Sequence, residues 1–320
     1  PAFYYYDDEV VVVASERPVI QTVFNVPRSA VHELIPGQAL VVTKNGELSL
    51  PQILTEGANE RCSFERIYFS RGSDADIYRE RKALGRNLVE PLSAMIGDDF
   101  ENTVFSFIPN TAEVAFLGMV EGLEARLDAC RMAELRRHRD AGGLTDQSIE
   151  RIIKRHLRID KLVIKDIKLR TFIAEGESRN DLASHVYDVT YGIVKNDADT
   201  LVVIDDSIVR GTTLKESILR MLDRLHPRRI IVVSSSPQVR YPDYYGIDMS
   251  RLAEFVAFRA AVSLLRRQGR EDVLHKAYKE CQRQLELPAD QQRNVVKDIY
   301  APFSDTDISR EISELLSKDV

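Results

Sequence analysis

The run Leu201-Val202-Val203-Ile204-Asp205-Asp206-Ser207-Ile208-Val209-Arg210-Gly211-Thr212-Thr213 constrains what this chain can fold into more than any other stretch. Its first four residues are apolar and mostly β-branched, which predicts a short strand buried on both faces; the run then stops at two carboxylates, a hydroxyl, a glycine and two threonines. Leu214, Ile218, Leu219, Leu222 and Leu225 follow at helical spacing. A polar loop between the carboxyl end of a strand and the amino end of a helix predicts an open α/β sheet whose ligand sits at that loop.

Each residue type in the loop suits an anion. Gly211 permits a sharp turn and a close backbone approach, while Ser207, Thr212 and Thr213 add hydroxyl donors to the N–H groups at the helix start. Asp205 and Asp206 would repel a phosphate placed on them, so they are expected to accept hydrogen bonds from sugar hydroxyls or to hold a hard cation such as Mg²⁺. A plain helix-capping aspartate would not need the second carboxylate or the hydroxyls around it. The Mg²⁺-holding strand of a nucleoside triphosphatase also ends in Asp, but its partner motif G-x-x-x-x-G-K-[ST] occurs nowhere in the 320 residues.

The run resembles the phosphoribosyl pyrophosphate (PRPP) signature of type I phosphoribosyltransferases, in the form used by the glutamine PRPP amidotransferase family. Two further stretches carry the same resemblance. Ser63-Phe64-Glu65-Arg66-Ile67-Tyr68-Phe69-Ser70-Arg71 is similar to the family's S-x-E-x-I-Y-F-x-R, and Ser236-Pro237-Gln238-Val239-Arg240-Tyr241-Pro242-Asp243-Tyr244-Tyr245-Gly246-Ile247-Asp248-Met249 is similar to its S-P-x-x-R-Y-P-x-x-Y-G-I-D-M. The resemblance implies an α/β chain of the type I phosphoribosyltransferase fold, a mainly parallel sheet flanked by helices, after a β-rich remnant of an amino-terminal nucleophile glutaminase domain. The implied activity is replacement of diphosphate on PRPP by ammonia derived from glutamine, giving 5-phosphoribosylamine, with Mg²⁺ as cofactor and purine nucleotides as inhibitors. A cytoplasmic homo-oligomer is also implied. A nucleobase salvage transferase and a non-catalytic sensor of PRPP or nucleotides remain alternative readings.

The site residues carried over are Asp205 and Asp206, as catalytic and metal-holding groups, with Ser207, Ile208, Val209, Arg210, Gly211, Thr212 and Thr213 around the substrate. Phe105-Ser106-Phe107-Ile108-Pro109-Asn110-Thr111-Ala112 resembles the family's pyrophosphate loop I-P-[DE]-[ST]-S, which places Pro109, Asn110 and Thr111 at the leaving diphosphate. Asn110 stands where the family has an acid, and Ala112 where it often has Ser. Arg240 and Tyr241 complete the expected substrate contacts, and Tyr78 matches a family tyrosine near the junction that ammonia crosses. Leu169-Arg170-Thr171-Phe172-Ile173 resembles the family's G-R-T-F-I, with residues 174–196 where a mobile lid is expected; this one is not basic, as the family's is.

Composition narrows the alternatives. A net charge of -6 with mixed signs argues against a nucleic-acid partner, and no apolar run approaches membrane-spanning length. Cys62, Cys130 and Cys281 are odd in number and far apart, which predicts a reducing compartment rather than disulfides. Some relatives hold a 4Fe–4S cluster on four cysteines; only Cys62 matches one of them, Asp243 stands at another, and no C-x-x-C exists, so no iron–sulfur cluster is expected.

Along the chain, residues 1–57 are expected to be β-rich, with a hairpin at Asn45-Gly46, and resemble the tail of a glutaminase domain in Val10-Val11-Val12-Val13-Ala14-Ser15-Glu16 and Pro36-Gly37-Gln38. The family's glutaminase nucleophile is an amino-terminal cysteine, so the chain is expected to be a carboxyl-terminal piece of a longer polypeptide. Residues 58–250 are expected to form the transferase domain, with an inserted helical hairpin at 121–162, and 251–320 a helical region. Its elements are a helix from an N-cap at Ser250 to residue 287, broken near Gly269, and a last helix over 308–316.

Overall fold

In the computed structural model, which describes residues 2–55, 62–165, 187–242 and 249–318, the chain divides into two compact units, Pro1–Arg81 and Lys82–Val320. The Leu169-to-Ile173 motif, positions 174–186 of the expected lid and positions 243–248 of the Arg240-Tyr241-Pro242 motif lie outside the described residues.

The first unit is built on β1 (Phe3–Tyr6), which lies between β2 (Val11–Ala14) and β3 (His32–Glu33) in an antiparallel sheet. A helix, α1 (Arg17–Phe24), contributes Ile20 to the small apolar cluster that Phe3 and Val31 complete. Strands β4 (Val41–Val42) and β5 (Leu48–Ser49) form the hairpin expected at Asn45-Gly46, where Gly46 takes φ +83°. Arg17 joins this unit's ends by pairing with Asp74 at 3.0 Å and Asp76 at 3.2 Å.

Helix α2 (Ala75–Asn87) runs across the boundary at Arg81, and the second unit continues with α3 (Val89–Ile96), β6 (Thr103–Phe107), α4 (Glu113–Asp140), α5 (Asp146–Ile153) and β7 (Arg158–Ile159). A short antiparallel pair, β8 (Val163–Lys165) and β9 (Tyr187–Val189), precedes β10 (Thr200–Asp205). After β10 comes α6, a π-helical turn over Leu214–Leu219 that continues as α-helix over Arg220–Asp223; β11 (Arg229–Ser234) follows. The wider π turn puts Leu214 and Leu219, five residues apart, on one buried face, where an ordinary helix was expected. The unit ends in α7 (Val256–Arg267), α8 (Asp272–Gln284), α9 (Lys297–Tyr300) and α10 (Asp305–Ser317).

Strands β11-β10-β6-β7 form one parallel sheet in that order. Every residue of β6 is buried, as is β10 from Thr200 to Ile204, because helices cover both faces. Leu201 and Val203 face a cluster that includes Leu222 of α6, Ala260 of α7 and Ile312 of α10. Val202 and Ile204 point the other way, into Leu92 of α3 and Met119 and Leu123 of α4. Each such aliphatic side chain contributes roughly 1.5–3 kcal/mol when fully buried. A parallel sheet flanked by helices on both faces is the architecture that the sequence resemblance implied.

Three helix starts differ from the sequence reading. Helix α10 begins at Asp305 rather than 308, since Ser304 and Asp307 form a reciprocal capping box. Ser250 caps nothing: α7 starts at Val256, whose N–H donates to the Val209 carbonyl at 2.8 Å, so a tertiary bond sets its first turn. The first arm of the expected hairpin is the continuation of α4, one helix from Glu113 to Asp140.

A buried ion pair ties the amino end of the sheet together. Asp199 is fully buried; its carboxylate accepts from Arg158 at 2.6 Å and from the Lys195 N–H at 2.7 Å, while Arg158 also donates to the Ile193 carbonyl at 3.0 Å. Burial pushes the Asp199 carboxyl up, but the Arg158 hydrogen bond and the Lys195 N–H outweigh it and hold it below the usual carboxylate range. Arg158→Met is therefore expected to cost about 3–5 kcal/mol, the penalty for a buried carboxylate left unpaired, as a lower midpoint of urea unfolding. Because the folded pKa lies below the unfolded one, this stabilisation is complete above about pH 4 and disappears as the pH falls through the folded value. A loss under about 1 kcal/mol would contradict the pairing.

Candidate active site

The chain leaves β6 for β7 on one side of it and later returns to β10 on the other side, so the crossovers diverge between β6 and β10. Ligands of open α/β sheets bind outside the carboxyl ends of the strands at such a point. Both loops expected from sequence open there, residues 108–112 after β6 and 205–213 after β10. The Ile108 N–H donates to the Ile204 carbonyl at 2.9 Å, which keeps the two exits side by side.

Asp205 is the last residue of β10, and the backbone around it is fixed from β11. Ser235 N–H donates to the Asp205 carbonyl and Ser236 N–H to the Asp206 carbonyl, both at 3.0 Å, and the Ser235 hydroxyl reaches the Asp206 carbonyl at 3.2 Å. Ser236 opens the S-P-x-x-R-Y-P-like motif, but the tie that it and Ser235 make to the loop was not expected; the polar run Ser234-Ser235-Ser236 closing an apolar strand was the available signal. The Asp205 carboxylate accepts its neighbour's N–H at 2.9 Å, and the Asp206 carboxylate accepts the Ser207 hydroxyl at 2.9 Å. Burial, and then the Asp206 charge, push the Asp205 carboxyl up to about 7, with the Asp206 N–H pulling the other way. Among the described residues no Lys or Arg forms an ion pair with Asp205, and the neighbouring Asp206 charge is one of the causes that raise its pKa.

The loop then turns at Gly211, φ +73°. A Cβ there would lie 2.7 Å from Cδ2 of Leu316, so the glycine is required both by its dihedral angle and by the close approach of α10. Thr212 and Thr213 are already helical, the Thr213 side chain makes no cap hydrogen bond, and the Lys215 N–H donates to the Gly211 carbonyl at 2.9 Å, so any N–H groups offered to a ligand come from the residues before Lys215. Ser207 is half-buried, and the Thr212 and Thr213 side chains are exposed. The Arg210 guanidinium pairs with Glu254 at 2.9 Å.

On the β6 side, Pro109 is buried and Asn110 exposed, with a cis peptide bond between them; Thr111 is half-buried. Ala112 is fully buried, which accounts for a methyl group where a hydroxyl was expected. No side chain caps α4, so its amino end also presents N–H groups to the loop. Helix α4 is held close by Gly118, where a Cβ would meet the Lys82 carbonyl oxygen at 2.0 Å.

Arg240 and Tyr241 are placed elsewhere. Arg240 donates to Gln238 at 2.6 Å and pairs with Asp305 at 2.5 Å, and its guanidinium lies over the Tyr300 ring, which Tyr241 meets edge-on. In the structure these two side chains therefore brace α9 and α10. Tyr78 is exposed on α2.

Gly211→Val is expected to weaken ribose 5-phosphate binding by at least about tenfold, because the side chain strains the turn and displaces Leu316. Titration calorimetry reads this directly; unchanged affinity would remove the loop from the binding surface.

No protein-family model matches the chain. Curated relatives do: the amidophosphoribosyltransferase of Haemophilus influenzae is 26% identical over 71% of this chain. Those of Escherichia coli and Bacillus subtilis are 27% and 28% identical over 73% and 76% of it. The chain spans 40% to 43% of the length of these relatives. Among solved structures, glutamine PRPP amidotransferase from B. subtilis complexed with ADP and GMP matches with a TM-score of 0.57 and 25% identity over 83% of this chain and 50% of its own. A second structure, described as the allosteric regulatory enzyme of purine biosynthesis, matches at 22% identity and the same TM-score, which supports the fold. Three ordered motifs, a parallel sheet and two loops at its switch point thus go together with a similarity to the amidophosphoribosyltransferases over the part of those proteins that the chain matches.

Proposed function

We propose that this chain carries the phosphoribosyl-transfer part of an amidophosphoribosyltransferase, in which ammonia replaces diphosphate at the anomeric carbon of PRPP. The observation that carries the reading is the loop at 205–213, a carboxylate pair followed by a positive-φ glycine and an uncapped helix start, beside the 108–112 loop at the switch point. In the reaction a C–N bond forms as the C–O bond to diphosphate breaks, and the nitrogen loses one proton. The residues act by holding the two ends of the sugar apart from water. The N–H groups of residues 207–213, with the Ser207, Thr212 and Thr213 hydroxyls, receive the 5′-phosphate, and the 109–111 loop receives the leaving diphosphate. Asp205 and Asp206 orient the ribose hydroxyls between them.

Two adjacent carboxylates, one half-buried and pushed toward neutrality, suit a hard divalent cation, and Mg²⁺ commonly takes one or two protein carboxylates with substrate oxygens and water for the rest. Asp205 and Asp206 are the residues that would hold it. Bound there, Mg²⁺ would neutralise charge on diphosphate. Among the described residues no cluster of three or more His, Cys, Asp or Glu is present, and the remaining positions around a cation held by this pair would fall to substrate oxygens and water.

The same proposal takes glutamine as the ultimate source of ammonia and residues 1–57 as part of a glutaminase-like domain. It also includes purine nucleotides as inhibitors, a homo-oligomer and a cytoplasmic location. Among the described residues no helix is long and apolar enough to cross a membrane.

The test is ammonia-dependent release of diphosphate from PRPP with Mg²⁺ at alkaline pH, where more of the ammonium is deprotonated. Free ammonia is the donor to use because it needs only the transfer site. Turnover is expected, with Asp205→Asn and Asp206→Asn each lowering it by at least about a hundredfold while the circular dichroism spectrum is kept. Turnover with a nucleobase and none with ammonia would favour a salvage transferase, and full activity in both mutants would remove the carboxylates from the mechanism.

A further inference from the structure

Of residues 205–213 only Arg210 carries a basic side chain. A guanidinium that close in sequence to Asp205 and Asp206 has two ready partners, the loop's own carboxylates and any anion bound beside them. In the structure it pairs with Glu254 at 2.9 Å, on the short 3₁₀ turn Leu252–Glu254 ahead of α7.

That turn is a firm base. It closes through the Glu254 N–H to the Arg251 carbonyl and the Phe255 N–H to the Leu252 carbonyl, each at 3.0 Å, and the next two side chains, Phe255 and Val256, are fully buried. The Val256 N–H reaches the Val209 carbonyl at 2.8 Å. Two consecutive loop residues, Val209 and Arg210, are therefore tied to one anchored segment, once through the backbone and once through a side chain. A single tie would let the loop pivot. Two ties set the direction in which the chain enters Gly211, whose φ of +73° begins the turn into α6.

We propose that Glu254 is a positioning residue of the 205–213 loop, which holds the Arg210 guanidinium off the bound anion and fixes the approach to Gly211. The loop then meets a 5′-phosphate with backbone N–H groups and hydroxyls, and Arg210 acts through Glu254 rather than on the ligand. Without Glu254 the guanidinium turns to Asp205 and Asp206, and the loop keeps one tie of the two. This inference rests on the reading of residues 207–213 as the 5′-phosphate site.

The test is a double-mutant cycle read as the calorimetric affinity of the full chain for ribose 5-phosphate. Glu254→Ala and Arg210→Ala are each expected to weaken binding about fivefold, near the upper end of what a partly exposed ion pair supplies, and the double variant to weaken it no further. Glu254→Gln serves where Glu254→Ala does not fold. Arg210→Lys, which keeps a cation for Glu254, should stay within about twofold of the parent. In turnover of PRPP, Glu254→Ala should raise KM with kcat kept within about twofold, whereas a merely structural role would lower the unfolding midpoint and leave affinity and KM unmoved. Losses that multiply in the double variant, a loss confined to Arg210→Ala, tighter binding in Glu254→Ala, or unchanged affinity in both single variants would each overturn the proposal while leaving the 5′-phosphate reading in place. Absence of ribose 5-phosphate binding in the parent would remove that reading, and the proposal with it.

Discussion

The pairing of β6 with β10 is the constraint on which the site depends. Five residue pairs, from Thr103↔Thr200 to Phe107↔Ile204, set the register, and all ten residues are buried. A slip of one residue would turn Leu201 and Val203 toward the wrong helical layer and move Asp205 out of line with the Ile108 loop. Since both faces of the sheet are covered, there is no polar side on which such a slip could be tolerated. The hydrophobic pattern of a strand thus decides where two loops meet.

What the register brings together, neighbouring elements then hold. The 205–213 loop is tied from three directions: by Ser235 and Ser236 at its start, by Val256 at Val209, and by Leu316 against Gly211. The helix carrying Leu316 is itself anchored, because Glu311, almost fully buried, accepts from Arg267 of α7 at 2.9 Å. Such support matters for electrostatics as much as for shape. For the proposed transfer role, a loop that presents N–H groups to an anion while keeping two carboxylates beside it would work only if neither could relax away, because such a reaction draws on preorganised dipoles.

Much of this was legible from the residues. The apolar run 201–204 ending at Asp205 reads as a strand that closes on its loop, and the breaks at Asn45-Gly46 and Gly269 fell where turns occur. The ties that shape the loop were not legible, for a physical reason. The bonds from Ser235, Ser236 and Val256 are backbone N–H to carbonyl bonds, and every residue but proline can make them, so the sequence carries no mark of which pairs form. The start of α7 illustrates this: Ser250 has the chemistry of a cap, yet the bond to Val209 sets the helix several residues later. Arg240 shows the converse, a motif residue whose side chain serves a helix–loop brace in this structure, which no spacing rule could reveal.

The central claim, that the 5′-phosphate sits on the backbone between β10 and α6, is tested most directly by amide chemical-shift mapping of the isotope-labelled protein with ribose 5-phosphate. The account predicts that the largest shifts fall on residues 207–213, with smaller ones at Ser235 and Ser236. Largest shifts elsewhere, with the amides of 207–213 unmoved at saturation, would contradict it.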